Sequence, residues 1–162
     1  MFTRTVNLSV WLGAAALLLP PSLFATGTGA TPQRFDARVG GFLGYTYQVQ
    51  LQDGLLQYAR FGGGHKPTHA RVRPTMEQWT EFRRELDAID IWRWRAQYVN
   101  LGVTDGTQWS LDVAFRDRAI KTQGSNEYPG TMPDFSGGPS ASEAFTRYLK
   151  AVQRLVGGRV FE

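Results

Sequence analysis

Apolar and polar residues alternate with a period of two along several stretches of this chain and fall on helical stripes along two others. Trp92, Trp94, Ala96 and Tyr98 alternate with Arg93, Arg95, Gln97 and Val99, which predicts a strand with an aromatic face and a largely basic face. Trp109, Leu111, Val113 and Phe115 alternate with Ser110, Asp112, Ala114 and Arg116, the clearest strand in the chain. Asp105-Gly106 suits a tight turn between them, and Asp117-Arg118 is long enough to reverse the chain into Ala119 to Gln123. Residues 91–123 therefore read as an antiparallel meander.

Upstream, Phe35 to Val39 predicts a short strand ended by Gly40-Gly41. Tyr45, Tyr47, Val49 and Leu51 then alternate with Thr46, Gln48, Gln50 and Gln52, and Asp53-Gly54 turns the chain into Leu55 to Phe61. Residues 62–69 hold three glycines and a proline and read as loop. Thr75 and Gln78 have capping-box spacing before the stripe Met76, Trp79, Phe82, Leu86, Ile89. Ser140 and Glu143 repeat that spacing before Phe145, Tyr148, Leu149, Val152, Leu155 and Val156, with Gly157-Gly158 as the stop. Glu143 and Arg147 stand at i and i+4, a pairing worth about 0.2 to 0.5 kcal/mol. Val160-Phe161 is expected to tuck against the sheet.

The order of strands, Asp-Gly turn, loop and helix occurs twice, over residues 35–89 and 91–156. Asp53-Gly54 matches Asp105-Gly106 at an offset of 52 and Glu77 matches Glu143 at an offset of 66, so the second unit carries about 14 extra residues between turn and helix, around Gly124 to Pro139. The expected fold is α+β: an antiparallel sheet of about six strands with two helices on one face; tandem βββα units are the sharper form of that expectation, and a chance match of two hairpin-plus-helix segments is the alternative.

A composition of 42% hydrophobic and 13% aromatic residues in a 162-residue chain fits one globular domain. Arg4, the apolar run Leu8 to Leu19 and the small residues from Ala25 to Ala30 read as a secretory signal peptide over residues 1–25, with cleavage extending to 30 as the alternative. The run is shorter than the roughly 20 residues of a spanning helix. This predicts an exported single domain over 26–162, periplasmic or secreted, with no membrane span after signal removal. The chain has no cysteine, which excludes disulfides, thiolate ligands and cysteine nucleophiles.

The formal charge of +4 permits attraction to anionic glycans, lipid headgroups or nucleic acid, although no long run of lysine and arginine marks a patch. Export argues against nucleic acid. Two regions are candidates for binding. One is the enlarged loop from Gly124 to Pro139, with Gly124, Ser125, Asn126 and two aromatics read as exposed, Tyr128 and Phe135; the alternative reading of such a loop is a cap over the core. The other is the basic sheet face of Arg93, Arg95 and Arg116, joined by Lys121 and diluted by Asp112.

Catalytic and cofactor signatures are weak. His65 and His69 have a His-x-x-x-His spacing, but Pro67 and the preceding glycines place them in a loop, where that spacing does not align them on a metal. Asp105 and Asp112 form a conceivable acid–base pair, yet a turn explains the first and an outward strand position the second. Ser110 lacks a nucleophile elbow, and Gly62 to Gly64 lack the Lys-Ser or Lys-Thr of a phosphate loop. The row Trp92, Trp94, Tyr98, Trp109 is expected in the core rather than on a carbohydrate platform. No cofactor is implied.

The segments Asp105-Gly106-Thr107-Gln108-Trp109-Ser110-Leu111-Asp112, Gly124-Ser125-Asn126 and Tyr128-Pro129 resemble an uncharacterised family of exported bacterial proteins. The resemblance covers the C-terminal half best. It implies export and a compact α+β domain and carries over no catalytic residue. The functional expectation is a small envelope module that binds an unknown protein or an anionic envelope component; an envelope hydrolase and a purely structural domain are the alternatives.

Overall fold

The structure, a computed structural model, describes residues 29–41, 44–102, 105–130 and 141–162. The expected signal segment over 1–25 lies outside these residues, as do Phe135 and most of the enlarged loop.

The chain is α+β. Among the described residues, seven strands form one sheet: β1 (Arg34–Gly41), β2 (Tyr45–Gln52), β3 (Leu55–Gly62), β4 (Thr68–Val72), β5 (Gln97–Val99), β6 (Thr107–Ala114) and β7 (Ala119–Ser125). Their order across the sheet is β4-β3-β2-β1-β6-β7-β5. Every pairing is antiparallel except β5 with β7, so the sheet is mixed. Helices α1 (Met76–Ala88) and α2 (Glu143–Leu155) pack against one another beside the sheet.

The alternation in the sequence assigns the faces. Phe35, Ala37 and Val39 of β1, Tyr47 and Val49 of β2, Leu56 and Tyr58 of β3, and Trp109, Leu111 and Val113 of β6 are all buried beneath the helices. The stripe Trp79, Phe82 and Leu86 of α1 meets them, with Phe35 edge-on to Trp79 and Phe82 at centroid distances of 6.3 and 5.4 Å. Met76, the first member of the expected stripe and the first residue of α1, is 62% exposed. From α2, Phe145 packs on Trp109 at 4.9 Å, and Phe161 beyond the helix closes edge-on over Tyr148. The chain end is anchored by the Tyr58 hydroxyl, which donates to the Val160 carbonyl at 2.9 Å.

Local chemistry explains most boundaries. Asp53 (φ 52°) and Gly54 (φ 74°) both take the left-handed conformation that a two-residue hairpin turn requires. Thr75 and Gln78 form the full capping box. At α2 the cap is Ser142, whose hydroxyl accepts from the Phe145 amide at 3.2 Å, two residues later than the expected Ser140. Gly157 and Gly158, both left-handed, return amides to Arg154 and Gln153 and end the helix. Arg147 turns from Glu143 to Glu85 of α1 at 2.7 Å and so joins the two helices.

Three expectations require correction. The strand expected from residue 92 is a 3-10 turn over Ile91–Arg93 followed by the three-residue β5. Asp90 enters it left-handed (φ 52°), and each ring finds a separate partner: Trp92 meets Phe115, while Trp94 meets Trp109, Phe145 and Tyr148. Second, β5 pairs parallel to the far side of β7, so Asp105-Gly106 opens β6 without making a hairpin with β5. Third, residues 68–72, part of them read as loop, form β4 against β3. The first half pairs as β1-β2-β3-β4 and the second as β6-β7-β5, so the repeated order of elements is not accompanied by a repeated pairing.

Candidate functional site

The motif residues of the C-terminal half interlock. Gly124 on β7 lies opposite Trp109 on β6, and a Cβ at Gly124 would stand 2.2 Å from the indole Nε1. The indole passes over the glycine to donate to the Glu127 carbonyl at 3.0 Å. Asn126 then turns left-handed (φ 55°), and its amide donates to the Thr107 carbonyl. Its side-chain oxygen occupies the space where Gly106 would carry a Cβ. Tyr128, expected to be exposed, is buried against Phe145 at 4.7 Å, and the Pro129 carbonyl accepts from the Ser142 hydroxyl that caps α2. Of the four residues assigned to the loop, Gly124, Asn126 and Tyr128 thus hold the fold, and Ser125 alone turns to the outer face with Gln108 opposite it.

The basic face expected from Arg93, Arg95 and Arg116 does not assemble, because the 3-10 turn disperses it. Arg93 pairs with Asp90 at 3.7 Å. Arg95 is bound by Glu127, whose hydrogen bond raises the guanidinium pKa, and lies over the Tyr98 ring at 4.4 Å. Arg116 is exposed just beyond β6, before the turn into β7. Beside it Arg83 makes a bidentate pair with Asp117 at 2.8 and 2.9 Å and lies over Trp92 and Phe115. These hydrogen bonds hold the Asp117 carboxyl well below the usual carboxylate range.

The face away from the helices presents a different constellation. Strand registers place its side chains in rows. One row crosses six strands as Ala59, Gln48, Arg38, Ser110, Gln123 and Gln97, beginning from His69 on β4. The next contains Arg71, Gln57, Gln50, Asp36, Asp112 and Lys121. At the sheet spacing of about 4.8 Å, seven strands give a polar surface roughly 29 Å wide. Arg38, Gln50, Gln97, Lys121 and Gln123 are exposed on it.

Two depressions lie on this face and share Ser110 and Gln123. One, of about 530 Å³, is lined by Arg38, Thr46, Gln108, Ser110, Gln123 and Ser125 among others. The other, of about 610 Å³, adds Asp36, Asp112 and Lys121. Asp36 and Asp112 stand directly opposite one another on β1 and β6. Like charges at that spacing oppose strand pairing. Gln50 Nε2 donates to Asp36 at 2.7 Å and Arg34 Nε to Asp112 at 2.9 Å, which offsets the repulsion. Arg38 contacts the Phe61 ring at 5.8 Å and makes no ion pair among the described residues.

The other candidates are separated. Asp105 is exposed ahead of β6, seven residues before Asp112, and the carboxylate directly opposite Asp112 is Asp36. His65 stacks on Tyr45 at 5.6 Å, whereas His69 lies on β4. No group of three potential metal ligands occurs among the described residues, and no described helix is long and apolar enough to cross a membrane.

Period-two alternation places Gln48 and Ser110 on the polar sides of their strands, but the row they share with Arg38 and Gln123 depends on β1 lying between β2 and β6. No model of a known protein family matches the chain, and no curated protein matches it either.

Proposed function

We propose that this is an exported protein of the bacterial envelope whose open sheet face binds an anionic, hydroxyl-rich component, with acidic glycans foremost. The supporting observation is Arg38. It has no carboxylate partner among the described residues and stands in a depression of about 530 Å³ among the amides and hydroxyls of Gln108, Ser110, Gln123 and Ser125. A guanidinium offers a planar fork to a carboxylate or sulfate. The surrounding amides and hydroxyls both donate and accept, as sugar hydroxyls require.

In this reading the resemblance to exported bacterial proteins gives the compartment, and residues 1–25 are its signal segment. The two halves derive from tandem βββα units that diverged in strand pairing. Titration with a galacturonate hexasaccharide tests the binding. Arg38→Ala is expected to weaken it at least tenfold while leaving thermal stability unchanged, and a neutral galactose hexasaccharide is expected not to bind.

The hydrolase reading gains one specific observation, the direct opposition of Asp36 and Asp112 beside Lys121. Two adjacent carboxylates in a depression are a common arrangement for general acid–base chemistry. If the protein cleaves the hexasaccharide, Asp36→Asn and Asp112→Asn each abolish cleavage. Cleavage that survives both substitutions belongs to a contaminant.

A further inference from the structure

The sheet has a second feature, at the β4 edge of the face that carries Arg38. Residues 54–76 contain no aspartate or glutamate but carry Arg60, Lys66, Arg71 and Arg73, together with both histidines. They form β3, the turn after it and β4, the last strand at one side of the sheet. None of these four cations makes an ion pair among the described residues, whereas Arg83, Arg93, Arg95, Arg118, Arg147 and Arg154 all do. Five of the fourteen acids lie on and just after α1: Glu77, Glu81, Glu85, Asp87 and Asp90.

β4 also has an unused backbone edge. It pairs with β3 on one side, and among the described residues no strand pairs with the other. Five residues at about 3.4 Å each give roughly 17 Å of unpaired edge. The two faces of the strand differ: His69 and Arg71 are exposed on the outer face, while Ala70 and Val72 are partly buried against the core. Like-charged edges repel a second copy of themselves, a recognised defence against aggregation. An acidic strand meets no such barrier.

We infer that β4 is a docking edge for an extended acidic segment of another protein, which adds as an eighth strand. Its carboxylates face Arg71 and Arg73, and its alternate apolar side chains lie over Ala70 and Val72. Backbone pairing supplies register and the cations supply selectivity. A flexible polyanion would satisfy the charges but leave the edge and the half-buried apolar pair unused.

The experiment uses the purified protein and a capped heptapeptide alternating glutamate and valine. A second peptide has the same sequence but is N-methylated along its backbone; it keeps the charge and loses the amide donors. The first peptide is expected to bind and the second at least tenfold more weakly. The charge-reversed Arg71→Glu/Arg73→Glu protein, folded by circular dichroism, should lose binding, whereas Arg38→Ala should retain it. Equal binding of the two peptides would overturn strand addition, as would no binding by either. Capture of a polyphosphate chain without the peptide would make the edge a general polyanion surface and overturn the proposal. Loss of peptide binding in Arg38→Ala would also overturn it, by moving the contact to the sheet face.

Discussion

The indole of Trp109 lies across Gly124, close enough that a Cβ at position 124 would stand 2.2 Å from its Nε1 and 2.7 Å from the Glu127 carbonyl oxygen. This contact ties β6 to β7 and delivers the chain to Asn126, Tyr128 and Ser142. Residues 124–129 of the loop expected to bind are therefore a joint between the sheet and the cap of α2.

Gly124→Ala should be among the most damaging small substitutions in the chain. Both the indole and a backbone carbonyl must move, so a loss of about 3 kcal/mol is expected, at the upper end of typical overpacking costs. Urea denaturation followed by tryptophan fluorescence measures it; a midpoint equal to wild type would refute the close contact.

Tyr148 gives the opposite expectation. Its hydroxyl is fully buried with no hydrogen-bond partner among the described residues, and burial pushes the phenol pKa strongly upward. Tyr148→Phe removes an unsatisfied group while keeping the ring against Trp94, Phe145 and Phe161. Stability should rise by about 1 kcal/mol, the lower end of the penalty for such a group. A marked fall in thermal midpoint would show that the hydroxyl has a partner in solution.

The Arg83–Asp117 pair predicts a pH dependence. Asp117 has a folded pKa below its unfolded value, so its contribution is complete above the unfolded carboxylate pKa of about 3.9 and is lost as pH falls toward the folded one. Asp117→Asn should therefore be less stable than wild type at pH 7, with the difference shrinking below about pH 4. Thermal melts across that range check the sign. A difference that grows on acidification would contradict it.

The sequence disclosed local elements better than their neighbours. The β2–β3 hairpin, the α1 capping box and both helical stripes were legible because turn chemistry and periodicity act within a few residues. The stretch from Trp92 to Tyr98 misled because aromatic residues at alternate positions satisfy a strand pattern even where each ring packs separately. β4 was hidden by the glycines and proline before it, and β5 was placed on the wrong side because its parallel pairing is set by contacts 26 residues away. The candidate face was dispersed along the chain: Arg38 and Ser110 are 72 positions apart and become neighbours only through the β1–β6 register. Asp36 was missed for the same reason.

Amide chemical shifts of isotopically labelled protein, followed during titration with the galacturonate hexasaccharide, test the central claim most directly. Binding at the open face predicts saturable shifts at Arg38, Gln48, Ser110, Gln123 and Ser125, with the exposed sides of α1 and α2 unchanged. Shifts confined to the helices, or none at saturating concentration, would contradict it.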